Sequence, residues 1–118
     1  MMITAPLLTL VEAAGEAVLT LTEGLSPADL LRSRLTRAEV QRQLQRLADT
    51  LSDAPDALRH LMPEIDWAAW RATRLALPQA GPQQDESLCF GVQSLVPATL
   101  SWLRVYRQSH PHLFQAWG

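Results

Sequence analysis

Residues 6–23, Pro6-Leu-Leu-Thr-Leu-Val-Glu-Ala-Ala-Gly-Glu-Ala-Val-Leu-Thr-Leu-Thr-Glu23, decide the fold class. Leu7, Val11, Ala14, Val18 and Leu21 recur at alternating spacings of four and three, which lines them up along one side of a helix. Leu8, Leu10 and Leu19 widen the stripe, while Glu12, Glu16 and Glu23 lie outside it. Gly24 is a natural stop. An amphipathic helix with so broad an apolar face needs other helices to cover it.

Working outward, the same period continues. Ser26-Pro27 supplies a cap and a first-position proline for a short helix or turn reaching about Leu31 or Arg32. Thr36-Arg-Ala-Glu39 reads as a capping box opening a helix over 37–52, with Val40, Leu44, Leu47, Ala48 and Leu51 inward. Glu39, Arg42, Arg46, Asp49 and Asp53 form its solvated stripe. Pro55 and Pro63 bracket a short apolar stretch in which His60 is expected to be half-buried. Asp66 caps a helix from Trp67 that Pro78 ends. Residues 78–86 are too polar and too punctuated for regular structure and are expected to be a loop. A last helix runs from about Ser87 to Gln108, kinked at Pro97. The tail from His110 leaves the pattern and is expected to fray or to dock on a partner.

No strand-like alternation, repeat or low-complexity tract interrupts this series. The expectation is all-α: an antiparallel bundle of four to five helices in a single domain, 1–118, with its core at about 6–108 and a tail at 109–118. The chain has 118 residues, too few for a second core. Four tryptophans and 21 leucines exceed what a small monomer readily hides, so a homodimer is expected.

Composition narrows the chemistry. All ten cations are arginine, which excludes a Schiff-base or phosphate-loop lysine. A formal charge of −2 excludes a uniformly basic nucleic-acid binder. The single cysteine, Cys89, excludes an internal disulfide and a multi-thiolate zinc site. No run reaches the roughly 18 uninterrupted apolar residues of a membrane span. The first residues, Met1 to Pro6, lack the basic region of a signal peptide, so a bacterial cytoplasmic protein is the expectation.

Three groups of side chains carry candidate chemistry. Residues 32–46 hold Arg32, Arg34, Arg37, Arg42 and Arg46 against Glu39 alone, a patch suited either to RNA phosphates or, more ordinarily, to a solvated face pairing with Glu39 and Asp49. Trp67 and Trp70, three apart, read as core or dimer-interface anchors rather than as a base-stacking platform. His110 and His112 lack a third ligand, so neither a metal nor a cofactor is expected.

Three pieces in register also carry a resemblance. They are Leu21-Thr-Glu-Gly-Leu-Ser-Pro-Ala-Asp-Leu-Leu31, Leu35-Thr-Arg-Ala-Glu-Val-Gln-Arg-Gln-Leu44 and Pro63-Glu-Ile-Asp-Trp-Ala-Ala-Trp-Arg-Ala-Thr-Arg74. In order and spacing they resemble the HepT-like proteins of the HEPN superfamily, over residues 7 to about 104, with Pro97 at a position where that family often has a proline. The resemblance implies an all-helical homodimer of the ribonuclease-toxin type. Its members carry an arginine, then four residues, a histidine, one residue and a tyrosine, and two such motifs meet in a dimer cleft. It also implies a neighbouring nucleotidyltransferase antitoxin that adds AMP to the tyrosine.

Arg74 matches the arginine, but Gln79 stands for the histidine, Gly81 for the tyrosine and Leu75 for the asparagine that usually follows. Metal-independent RNA cleavage needs a group that moves the 2′-hydroxyl proton, and a glutamine amide does not titrate. The expectation is therefore a degenerate member with no catalytic residue, kept for binding. The partners in view are a nucleotidyltransferase antitoxin, a related toxin, or RNA held weakly by Arg74 and Arg71. An interfacial salt bridge of these arginines to Glu64 or Asp66, a residual ribonuclease using Arg74, and a purely structural dimer remain the alternatives.

Overall fold

The computed structural model describes residues 4–115, and every regular element among them is helical. The order is α1 (Thr4–Thr22), α2 (Pro27–Arg32), α3 (Arg34–Ser52), α4 (Asp56–Leu61), α5 (Trp67–Ala76), α6 (Pro82–Phe90), a π-helical segment (Gly91–Leu95), α7 (Val96–Ser109) and a 3₁₀ turn (Pro111–Phe114). The fold is an all-α bundle.

In α1 the buried line is Leu8, Val11, Ala14, Gly15, Val18 and Thr22. It is rotated slightly from the expected one, since Leu7, Leu19 and Leu21 pack only partly against the core. The Thr22 hydroxyl is buried at no cost because it donates to the Val18 carbonyl at 2.8 Å. Gly24 follows with φ of 78°, the left-handed geometry that releases the chain from the helix. Ser26 caps α2, and the capping box is here: Ser26 Oγ accepts from the Asp29 amide at 3.1 Å, and the Asp29 carboxylate accepts from the Ser26 amide at 3.3 Å.

The box expected at Thr36 and Glu39 does not form. Extended backbone at Ser33 already starts α3, which puts Thr36 inside its first turn. The Glu39 carboxylate is taken instead by Arg42, at 2.6 Å, and by Gln43, at 2.8 Å. These bonds hold Glu39 below the usual carboxylate range and raise Arg42. The inward set Val40, Leu44, Leu47, Ala48 and Leu51 is buried as its spacing requires.

Residues 82–86 are helical and not loop: they are the first five residues of α6. Pro82 follows Gly81, whose φ is 116°, and serves as a first-turn residue whose missing N–H has no helical partner to lose. Asp85 in the first turn adds a favourable dipole interaction. At the other proline, Pro97, the chain widens ahead of it: the Val96 amide donates to the Gly91 carbonyl, five residues back.

Two antiparallel contacts organise the bundle. Gln41 reaches the Leu77 carbonyl and Gln45 that of Arg74, so α3 and α5 run in opposite senses. Arg107 pairs with Glu12 while Gly15 meets Leu100, which does the same for α1 and α7. Between these pairs Val11, Leu47, Trp70, Val96 and Leu100 close up without room for a water. Residues 4–22 and 82–109 are long enough to cross a membrane, and each holds an 18-residue window of mean hydropathy 1.3 and 1.2 respectively; their buried residues build this core.

The described part of the tail, residues 110–115, lies against its own chain. Leu113 and Phe114 pack partly against the core, and the Arg107 guanidinium sits 4.4 Å from the Phe114 ring centroid. Residues 116–118, including Trp117, lie outside the described residues. His60 is exposed rather than half-buried, its Nδ1 2.9 Å from the Asp56 carbonyl oxygen.

Candidate functional site

α5 carries most of the candidate residues, and its rotation is fixed at three points. The Asp66 carboxylate caps it by accepting from the Ala69 amide at 3.0 Å. Trp67 donates its indole N–H to the Met62 carbonyl at 2.9 Å, and Trp70 donates to Thr99 Oγ1 on α7 at 3.0 Å. Trp70 is wholly buried in its own chain, with no surface left for a second copy. It is a core residue and not an interface anchor. Trp67 also spends its polar atom internally and packs partly on the core.

With Trp70, Thr73 and Leu77 turned inward, Arg71 and Arg74 face out, toward the side covered by α3. Arg74 is committed: its Nη1 lies 2.9 Å from Asp53 Oδ1 and its Nε 3.3 Å from Asp49 Oδ1. The acids are on α3, not at Glu64 or Asp66. Asp49 also accepts from Gln45 at 3.0 Å, so the arginine sits in a small polar network at the α3–α5 seam. Its side chain keeps 39% exposure, so the pairs hold its direction more than they stabilise the fold. Arg71 is exposed and forms no ion pair among the described residues.

The positions five and seven residues beyond Arg74 fall in the turn after α5. Leu77 ends the helix, its carbonyl accepting from Gln84 at 2.8 Å, and Gln79 and Gly81 stand exposed in the turn. Neither side chain titrates, and Gly81 has no hydroxyl to modify. The three histidines lie elsewhere, at 60, 110 and 112.

The arginine-rich stretch is largely spent on pairing. Arg32 meets Asp29 at 2.8 Å, Arg42 meets Glu39, and Arg37 reaches Asp85, Gln84 and the Leu31 carbonyl. Arg34 and Arg46 form no ion pair among the described residues. Arg32, Arg34, Arg37 and Gln41 line an open groove of about 430 Å³. On α6, burial first and the Asp85 carboxylate second push the Cys89 thiol up, with Arg37 opposing them, so Cys89 is a poor nucleophile. His110 and His112 have ring centroids 6.0 Å apart, and no three of His, Cys, Asp and Glu gather around a metal-sized point among the described residues.

One feature escaped the reading of the sequence. A groove of about 280 Å³ runs between α5 and α6, lined by Ala69, Ala72, Thr73, Ala76, Glu86 and Phe90 among others. Leu75, on the outer face of α5, is 69% exposed, and Phe90 is 46% exposed. The signal is the position of Leu75 opposite Trp70, Thr73 and Leu77 on the helical wheel, beside a helix whose first turn, 82–86, the sequence presents as loop. No family model, curated protein or solved structure matches the chain.

Proposed function

We propose that this chain is a catalytically silent HepT-like HEPN protein, a cytoplasmic binding component of a toxin–antitoxin or defence module. Its partner in that setting is a nucleotidyltransferase-type antitoxin or a related toxin. The observation that carries the reading is the state of Arg74. The one motif side chain retained is tied to Asp49 and Asp53, and beside it Gln79 and Gly81 replace the proton carrier and the modifiable hydroxyl.

An arginine stabilises phosphate charge but stays protonated at any working pH, so it cannot accept the 2′-hydroxyl proton. Glutamine offers hydrogen bonds and no proton transfer. The site therefore lacks a group to move that proton, and its one cation is already balanced by the Asp49 and Asp53 carboxylates. Adenylylation at the family's tyrosine position is equally closed, because Gly81 has no side chain.

The test is single-stranded RNA incubated with purified protein in chelator. Cleavage no greater than that of an Arg74→Ala sample, and no growth arrest on expression in a bacterial host, are the expected results. RNA cleavage that disappears on Arg74→Ala would instead establish a working ribonuclease and overturn the reading.

A further inference from the structure

We infer that the outer face of the first two-thirds of α3, with the α2–α3 groove beside it, seats an acidic amphipathic helix of a different protein. The inference deepens the binding reading above and rests on it. Arg34, Leu35, Ala38, Arg42 and Arg46 are all exposed. At 100° per residue they fall within an arc of about 120°, and at 1.5 Å per residue they extend over about 18 Å. Such a stripe meets about three turns of a second helix.

Leu35 sets the character of one end. At 81% exposure it is the most exposed large hydrophobic side chain among the described residues. Beside it opens the groove of about 430 Å³, to which Leu31 and Ala38 give apolar wall. Arg37 lines the same groove and is held in place by Gln84 and Asp85 of α6.

Charge sets the rest. Arg32, Arg34, Arg37, Arg42 and Arg46 are countered by Asp29, Asp85 and Glu39 alone, so this part of the surface is positive in a chain of formal charge −2. Lack of an ion pair does not single out Arg34 and Arg46, since Arg71 and Arg104 also have none among the described residues; their alignment with Leu35 does. A nucleic-acid strand would use this face badly. A leucine gives phosphates nothing to hold, and residues 31–46 contain no aromatic ring for a base to stack on. The Glu39 carboxylate, bonded to Arg42, repels a continuous line of phosphates. A helix places its residues one at a time. It can set carboxylates opposite Arg34 and Arg46, a neutral side chain opposite Glu39, and an apolar anchor against Leu35 and the groove.

The experiment is fluorescence anisotropy of the full chain with labelled synthetic helices of about 16 residues, long enough to cover the stripe. One carries glutamate and leucine on a single face. A second has lysine for each glutamate, a third has serine for each leucine, and a single-stranded RNA is the fourth probe. The glutamate–leucine helix should bind at least about tenfold more tightly than each of the others. Leu35→Asp should weaken it at least about tenfold, as loss of an apolar anchor does. Arg34→Glu combined with Arg46→Glu should transfer the preference to the lysine helix. Arg104→Glu, on α7, should change nothing. Circular dichroism checks that each variant keeps its native helicity.

No binding, or equal affinity for the glutamate and lysine helices, would overturn the inference. So would a Leu35→Asp protein that binds undiminished, or an Arg104→Glu protein that binds no longer. RNA held more tightly than the glutamate helix, and released by the Arg34→Glu and Arg46→Glu changes, would give the face to nucleic acid and overturn it too. The two readings fail separately: RNA cleavage lost on Arg74→Ala sinks the silent-enzyme reading and leaves the peptide preference standing, whereas a chain that neither cleaves RNA nor prefers the glutamate helix sinks this one alone.

Discussion

Thr99→Val tests the joint that aims α5. The Thr99 hydroxyl accepts from the Trp70 indole at 3.0 Å and donates to the Leu95 carbonyl at 2.7 Å, with Thr99 3% exposed and Trp70 fully buried. Valine keeps the shape and removes the acceptor. The indole N–H is then buried without a partner, which costs about 1–3 kcal/mol. With a urea m-value of about 1.5 kcal/mol/M, a loss of about 2 kcal/mol lowers the unfolding midpoint by about 1.3 M. Thr99→Ser keeps the hydroxyl and loses one methyl, for a cost nearer 1 kcal/mol. The decisive comparison is a double-mutant cycle with Trp70→Phe, followed by urea denaturation at one fixed protein concentration. In the phenylalanine background no N–H remains to orphan, so Thr99→Val should cost almost nothing, giving a coupling of about 1–2 kcal/mol. A coupling indistinguishable from zero would refute the claim that this bond fixes α5.

Two further outcomes follow from local geometry. Gly15→Ala would place its Cβ 2.9 Å from Leu100 Cδ2, so despite a helix-propensity gain of about 1 kcal/mol it should lower the thermal midpoint, overpacking costing about 1–3 kcal/mol; adding Leu100→Ala should be less damaging than the two effects summed. The Asp29 carboxyl is held below its ordinary 3.8 by hydrogen bonds from the Ser26 hydroxyl and amide and by Arg32. A depressed folded value means that its contribution is present above the unfolded pKa and is lost as pH falls through the folded one. Amide exchange at Ser26 and Leu30 should therefore speed up, beyond the intrinsic pH trend, in acid below the ordinary aspartate range and not at neutral pH.

Much of the fold was legible because it is written locally. The α1 stripe, the Ser26-Pro27 start and the Asp66 cap each depend on residues within one or two turns. What failed was also local, but ambiguous: Gly81-Pro82 punctuates a loop or opens a helix with the same two residues, and only the packing of Leu88 chooses between them. Thr36 and Glu39 had a valid capping spacing that an earlier start at Ser33 made irrelevant. The candidate site was harder. Asp49 and Asp53 were visible as a charged stripe, yet their claim on Arg74 depends on how α3 and α5 cross. Trp70 looked available for a partner because its own partner, Thr99, is 29 residues away.

The widened turn at Gly91–Leu95 inserts one residue more than an α-helix accommodates, so everything before it is out of phase with everything after it by about 100°. That offset lets Leu88 point inward and Phe90 outward while Val96, Leu100 and Leu103 still line the interior. Loss of a single codon within this stretch would straighten the rod and rotate its N-terminal half, withdrawing Leu88 and re-aiming Phe90 and Glu86 together. Chain length at this point is thus under tighter constraint than the identity of its exposed members, Gln93 and Ser94.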